Sequence, residues 1–202
     1  MKKIDVKNIV VGFGKGGKTL AKFLAGKGES VVVIEQSTLM YGGTCINIGC
    51  IPSKFLIVNG EKGLKFTEAA EKKAMLTGNL NLKNYHMIAD EATAEVIDGK
   101  AKFVSDHEIE VMDAEGEVIA KLIGERIFIN TGATPVLPPI PGLVDSRNVV
   151  TSTELMDLKQ LPEHLTIIGS GYIGLEFASM FASYGSKAVS YTHLTLPTIL
   201  RV

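Results

Sequence analysis

The sequence has little cysteine, no tryptophan and no excess of charge of either sign. Its 202 residues include two cysteines, 21 lysines and arginines, and 22 aspartates and glutamates, so the net charge is −1. This balance removes the electrostatic basis for binding nucleic acid or a membrane surface. No apolar run reaches the roughly 18–20 residues that span a bilayer, and the charged first residues do not read as a signal peptide. We therefore expect a cytoplasmic protein with no nucleic-acid or membrane partner.

The two cysteines, Cys45 and Cys50, lie five positions apart. They are too few for a secreted disulfide scaffold or for a structural zinc site, which needs four ligands, so we expect no metal site. An ideal helix would hold their Cα atoms roughly 8–9 Å apart, beyond the ~7 Å limit for a disulfide. A bridge therefore requires a looped or distorted segment. Two buried, inert cysteines are the alternative, but their position between Gly42-Gly43 and Pro52-Ser53-Lys54 favours a redox pair.

The start of the chain carries the pattern of a strand, a glycine turn, a helix and a second strand. We predict a strand at 8–11, a helix at 18–27 and a second strand at 30–34, and an acidic residue follows the second strand. In such a turn the first glycine permits the bend, the second lets a pyrophosphate approach, and the third lets the helix pack on the strand. An acid after the second strand accepts hydrogen bonds from a ribose. This pattern predicts a nucleotide site at Gly12, Gly14, Gly17 and Glu35.

The middle of the chain changes from helical to alternating patterns. Residues 68–75 predict a helix that continues irregularly toward Asp90. Four short segments then predict an antiparallel meander, at 95–97, 101–104, 108–112 and 118–123, and a separate apolar run follows at 126–130. Four prolines between 135 and 141 cannot continue a central strand. We therefore place a domain boundary near Thr151.

The strand and glycine turn then recur. A predicted connecting helix at 152–158 precedes a strand at 165–168, which leads into Gly169, Gly171 and Gly174 and a helix ending near Ser183. The repeat predicts an α/β protein with two nucleotide sites. The expected domains are the first part of one nucleotide-binding unit at 1–150 and the start of a second at 151–187.

The segment Gly42–Lys54 reads Gly-Gly-Thr-Cys-Ile-Asn-Ile-Gly-Cys-Ile-Pro-Ser-Lys. It resembles the active-site motif of the class I pyridine nucleotide–disulfide oxidoreductases, which include glutathione reductase, dihydrolipoamide dehydrogenase and mercuric reductase. Phe128–Ala133 and Gly169–Glu176 also resemble family motifs and follow in the same order. The resemblance covers residues 1 to about 187. Within the family, the sequence near Tyr41 and at 84–90 is similar to the reactive-chlorine-resistance branch.

The resemblance implies a Rossmann-like FAD-binding domain with a β-meander, followed by the start of a Rossmann-like NAD(P)-binding domain. Electrons would pass from NAD(P)H through FAD to a Cys45–Cys50 disulfide, and then to a small-molecule, disulfide or metal-ion substrate. Cys50 would be the flavin-proximal thiol and Cys45 the interchange thiol. The full-length form would be a homodimer. The implied cofactor-binding residues are Gly12, Gly14, Gly17, Glu35, Gly43, Thr44, Lys54, Ala101, Thr131, Gly132, Gly169, Gly171, Tyr172, Ile173, Gly174 and Glu176, in which Lys54 pairs with Glu176 beside the flavin ring and Tyr172 gates the nicotinamide pocket.

Two departures from the family pattern affect this interpretation. None of the four histidines lies in the context of the family's catalytic base, and Thr192 stands where a ribose-binding acid is expected. We interpret residues 188–202 as a non-native tail, with a divergent strand as the alternative. We therefore expect poor pairing from Ala188 onward, weak FAD binding and no turnover by this chain alone. The alternative functions are a flavin-binding module without turnover and a thiol redox sensor.

Overall fold

The structure, a computed structural model, describes residues 2–191. The chain divides into two compact units. The first comprises Met1–Ile51 and Leu76–Val136, and the second comprises Pro52–Met75 and the chain from Leu137 onward. This division by packing differs from the predicted boundary near Thr151, because a helical segment that precedes the boundary belongs to the second unit. The assignment of 1–150 and 151–187 to two nucleotide-binding domains stays a prediction.

The first unit contains a six-stranded sheet. Its strands are β1 Lys2–Val11, β2 Val31–Glu35, β3 Ala94–Asp98, β4 Lys100–Phe103, β5 Glu108–Met112 and β6 Val118–Ile129. Their order in the sheet is β3-β2-β1-β6-β5-β4. Strands β3, β2, β1 and β6 run parallel, whereas β5 and β4 extend the sheet antiparallel. This mostly parallel sheet confirms the predicted α/β class, with a β-meander after the parallel part.

Two details of the predicted meander are wrong. Strand β3 pairs parallel with β2 instead of joining the antiparallel set, because the alternation of an edge strand does not encode the direction of its neighbour. Segment 118–123 and residues 126–129 belong to one strand, β6. Gly124 does not interrupt that strand. A Cβ at this position would lie 2.7 Å from Ile9 Cδ1, so the glycine lets the Ile9 side chain of β1 pack closely against the backbone of β6.

Side chains alternate across β1, so that Ile9 and Val10 enter different apolar clusters. Helices cover the face of Val10, where Leu24 and Ile88 are buried.

The α-helices of the described residues are α1 Lys15–Gly26, α2 Thr44–Asn47, α3 Cys50–Glu61, α4 Phe66–Ala89, α5 Ser152–Met156 and α6 Tyr172–Ser183. The prediction of an irregular segment from 75 to 90 is wrong, since α4 is one continuous helix of 24 residues.

The second unit has a parallel pair of strands, β7 (His164–Ile168) and β8 (Lys187–Tyr191). Helix α6 connects them and buries Phe177, Met180 and Phe181 in an apolar cluster. The expectation that the chain pairs poorly from Ala188 is wrong for residues 188–191, which continue the sheet in regular register. Residues 192–202, including Thr192, lie outside the described residues, and the non-native origin of the tail stays a prediction.

Candidate functional site

The first glycine turn joins β1 to α1. Gly12 has φ +101°, and a Cβ on Gly17 would lie 2.4 Å from the carbonyl oxygen of Gly12. The third glycine therefore allows the helix to start directly against the turn, as the motif predicts. Gly14 is the N-cap, no side chain caps the helix, and its first turn carries no acidic residue. The N–H groups of that turn and the helix dipole therefore suit a phosphate.

Glu35, the acid at the end of β2, is buried and lies against this turn. Its Oε2 accepts a hydrogen bond from the Phe13 N–H at 2.8 Å, and its Oε1 accepts one from the Ser37 N–H at 3.1 Å. A carboxylate has about four lone-pair sites, so further donors can be accommodated. The Glu35 carbonyl oxygen also accepts the Gly99 N–H at 2.8 Å. The structure therefore brings Glu35 close to the start of β4, which contains Ala101.

Asn130 is a residue of this site that the sequence reasoning missed. Its Nδ2 donates to the Gly12 carbonyl oxygen at 3.2 Å, and a Cβ added to Gly14 or Gly17 would lie 2.8 Å from the same nitrogen. The side chain thus fixes the glycine turn from the end of β6. The sequence did contain a signal for Asn130, because this amide residue ends the apolar run at 126–130. Thr131 and Gly132 follow directly, and Gly132 has φ +72° with open space where a Cβ would stand.

The cysteine turn, residues 42–50, packs on the glycine turn. Gly43 is the N-cap of α2 with φ +77°, and a Cβ there would lie 2.6 Å from the Cα of Gly14. Thr44 and Cys45 begin α2, and Cys50 begins α3 after a break at residues 48–49. The segment between the cysteines is therefore not one continuous helix, which is the condition that a bridge requires.

The two sulfurs are thiols in this structure, and they are hydrogen-bonded to each other. The bond to Cys50, burial and negative charge at Cys50 raise the pKa of Cys45, whereas Lys15 and the Cys50 N–H oppose the rise. A raised pKa here means that Cys45 donates its S–H and holds its proton. Cys50 is the more exposed of the two residues. Exposure alone therefore does not identify Cys45 as the thiol that meets substrate.

The second unit repeats the glycine turn between β7 and α6. Gly169 has φ +110°, and a Cβ on Gly174 would lie 2.8 Å from the Gly169 carbonyl oxygen. Gly171 is the N-cap, again without a side-chain cap. Tyr172 begins α6 and is 82% exposed, and Ile173 is 45% exposed. The predicted nucleotide turn is thus formed, with its aromatic residue accessible.

Lys54 on α3 and Glu176 on α6 form an ion pair between Nζ and Oε1. Ser53 Oγ lies 3.5 Å from the same carboxylate oxygen. The structure therefore brings together the two residues that the resemblance pairs. Within residues 2–191, no three or more His, Cys, Asp or Glu side chains are grouped to hold a metal ion. In the same part of the chain, no helix combines the length and apolarity needed to cross a membrane.

Comparison with known proteins gives consistent matches. The family described as pyridine nucleotide-disulphide oxidoreductase matches residues 6–200. The probable pyridine nucleotide-disulfide oxidoreductase RclA of Escherichia coli is 51% identical over 179 residues, which cover 89% of this chain and 40% of that protein. Mercuric reductase of Streptomyces lividans is 37% identical over 196 residues, covering 88% of this chain and 40% of the enzyme.

Solved structures agree with these matches. The Cu(II) complex of the HOCl-induced flavoprotein disulfide reductase RclA from Escherichia coli superposes with a TM-score of 0.90 at 49% identity, covering 94% of this chain and 42% of that one. The chain thus spans about 40% of the length of the curated relatives it matches.

Proposed function

The chain belongs to the pyridine nucleotide-disulphide oxidoreductases, and we propose that it carries the dithiol centre of an FAD- and NAD(P)H-dependent reductase. The family consists of oxidoreductases that use FAD and NAD(P)H. The observation that carries the proposal is the contact between the Cys45 and Cys50 thiols on a turn packed against the first glycine turn. A disulfide, a metal ion or another oxidant would be the final electron acceptor.

The residues of the first unit fit FAD. The uncapped start of α1 suits a pyrophosphate, and the carboxylate of Glu35 keeps acceptor capacity for a ribose. Binding is assigned to Gly12, Gly14, Gly17 and Glu35, with Gly43, Thr44, Ala101, Thr131 and Gly132 as further contacts. The Lys54–Glu176 ion pair lies within the second unit, and its assignment to the flavin ring is a proposal from the family resemblance. When bound, FAD supplies two-electron chemistry between a nicotinamide and thiols. Gly169–Gly174 would serve NAD(P)H.

The dithiol step can be written from this chain's own residues. Reduction of a Cys45–Cys50 disulfide takes up two electrons and two protons and gives two thiols. Attack of one thiolate on a substrate disulfide forms a mixed disulfide and releases one substrate thiol, and attack by the second cysteine frees the other. The hydrogen bond between Cys45 and Cys50 keeps the two sulfurs in contact, and we assign Cys50 to the flavin side.

The similar proteins support two classes of acceptor. Mercuric reductases reduce a metal ion by name, a relative named glutathione reductase acts on a disulfide, and a Cu(II) complex is named among the similar structures. We propose one of these two classes for the whole protein, together with a cytoplasmic location and a homodimeric assembly.

Flavin-linked reduction of the cysteines tests the proposal. The air-oxidised chain with excess FAD is photoreduced without oxygen, with EDTA as the electron donor, and thiols are counted with a chromogenic disulfide after the flavin has been removed. We expect a thiol at both Cys45 and Cys50 with FAD, and much less reduction with FMN, which lacks the adenine nucleotide. The Cys50→Ser variant should gain no thiol. Full flavin reduction with an unchanged thiol count would contradict the proposal and favour a thiol sensor.

A further inference from the structure

Lys18 is a buried lysine on α1 that the dithiol chemistry described above does not use. The residue is 5% exposed, and its Nζ donates a hydrogen bond to Oδ1 of Asn84 on α4, which is equally buried. Asn84 in turn donates to the Leu80 carbonyl oxygen at 2.6 Å. Among the described residues, no carboxylate lies within ion-pair distance of this ammonium. A buried cation held only by a neutral amide is costly, which points to a role beyond packing.

The contrast with Lys73, the other buried lysine among residues 2–191, supports this view. Lys73 is also 5% exposed, but its Nζ lies 3.1 Å from Asp157 Oδ1 and 2.8 Å from the Met156 carbonyl oxygen. The positive charge of Lys73 is therefore paired with a carboxylate, and its ammonium caps the carboxyl end of α5. Lys18 has no such balance in the described part of the chain, so its positive charge is available to neighbouring groups.

The neighbour of the Lys18–Asn84 pair is the cysteine turn. A Cβ on Gly42 would lie 3.0 Å from Asn84 Cγ, so the amide packs directly against the backbone three residues before Cys45. On the other side of the turn, Gly43 packs on Gly14, immediately before the first turn of α1. Helices α1 and α4 therefore hold the Lys18–Asn84 pair against the turn that carries the cysteines.

We propose that Lys18 is a positioning residue whose buried ammonium, oriented by Asn84, favours the thiolate form of Cys45. Among neighbouring residues, the strongest influences on the ionisation of this thiol are Cys50, which opposes it, and Lys15, which favours it from the start of α1. Burial and Lys15 lower the pKa of Lys18, whereas the Cys45 thiolate raises it. Such coupling is reciprocal, so the Lys18 ammonium stabilises the Cys45 thiolate by the same free energy.

The effect has a purpose if the cysteines form the proposed redox pair. Thiol–disulfide exchange requires a thiolate, and the hydrogen bond to Cys50 holds the proton on Cys45. A nearby cation lowers the cost of releasing that proton when Cys45 must attack. This role in thiol–disulfide exchange rests on the proposed function. The effect of Lys18 on the ionisation of Cys45 does not, because thiol ionisation can be measured without cofactor or turnover.

The test is the pH dependence of alkylation of the reduced 202-residue chain by iodoacetamide. Both cysteines fall in one tryptic peptide, residues 28–54, so fragment ions between them assign the label to Cys45. We expect Lys18→Met to move the midpoint to higher pH and to slow Cys45 alkylation near neutral pH by about 3- to 30-fold. Lys18→Arg, which keeps the charge, should restore most of the rate. Lys27→Met, at the end of the same helix, should match the unsubstituted chain.

Three outcomes would overturn the inference. One is an unchanged Cys45 midpoint in Lys18→Met, and another is an equal loss in Lys18→Arg, which would indicate a packing role. If Lys18→Met fails to fold, Lys18→Gln decides the matter, because its amide can still donate a hydrogen bond to Asn84 but carries no charge. That variant should also slow Cys45 alkylation near neutral pH, and an unshifted midpoint is the third contradictory outcome.

Discussion

The Glu35 carboxylate accepts the N–H of Phe13 at 2.8 Å, so the acid at the end of β2 also holds the glycine turn after β1. One side chain therefore links the predicted ribose site to the predicted pyrophosphate site. Any change at Glu35 is expected to affect both the cofactor and the shape of the turn.

Replacement of Glu35 by Ala should weaken FAD binding by about 1.5–3 kcal/mol, or roughly 10- to 150-fold, because a charged acceptor is lost. Flavin fluorescence quenching gives the affinity, and urea unfolding reports the loss of the Phe13 bond. Glu115→Ala, on an exposed turn, is the matched control. An FAD affinity equal to that of the control would remove Glu35 from the site.

A methyl group at Gly17 should disrupt the first nucleotide turn. The added Cβ would stand 2.4 Å from the Gly12 carbonyl oxygen, so Gly17→Ala should lose about 1–3 kcal/mol of unfolding free energy and most FAD binding. Gly78 is the control, because it lies inside α4 with open space around it. Gly78→Ala should gain up to about 1 kcal/mol. Similar urea midpoints for the two variants would show that the turn adapts to the methyl group.

Tyr41 should make the stability of the fold sensitive to alkaline pH. Burial, followed by the 2.5 Å hydrogen bond to Asp98, raises the pKa of this phenol. The neutral form is favoured in the folded state, so this contribution is complete below the ordinary tyrosine pKa of about 10 and is lost as pH rises above it.

The Tyr41→Phe variant should therefore be less stable than the unsubstituted chain near pH 8, and the gap in urea midpoint should narrow between about pH 9 and 11. Asp98→Asn removes the charge beside the phenol and should reduce this pH dependence. A gap that stays constant over the whole range would mean that the Tyr41 phenol is not coupled to folding.

Local patterns were enough to predict both glycine turns and the helices that follow them. The same patterns did not give the direction of β3, because parallel pairing with β2 is decided by chain crossover rather than by alternation. They also broke β6 at Gly124, where the glycine reflects close contact with Ile9. Contacts between distant strands settled both points.

The candidate site was predictable where a motif carried it, as with Cys45, Cys50 and Glu35. Lys18, Asn84 and Asn130 were missed, since their roles come from packing between segments far apart in sequence. A signal did exist for Lys18, because this charged residue shares the buried face of α1 with Ala21 and Ala25. A lysine at a core-facing position needs a hydrogen-bonding or charged partner, and the sequence alone does not identify that partner.

The central claim is that Cys45 and Cys50 are a redox pair, and peptide mapping of the air-oxidised, folded chain tests it most directly. Digestion without reductant, after thiols have been blocked, yields the peptide 28–54 that carries both cysteines. The account predicts that this peptide lacks the blocking group and is two hydrogen atoms lighter than the dithiol form, with the cross-link lost on reduction. Recovery of the peptide with both cysteines blocked would contradict the account.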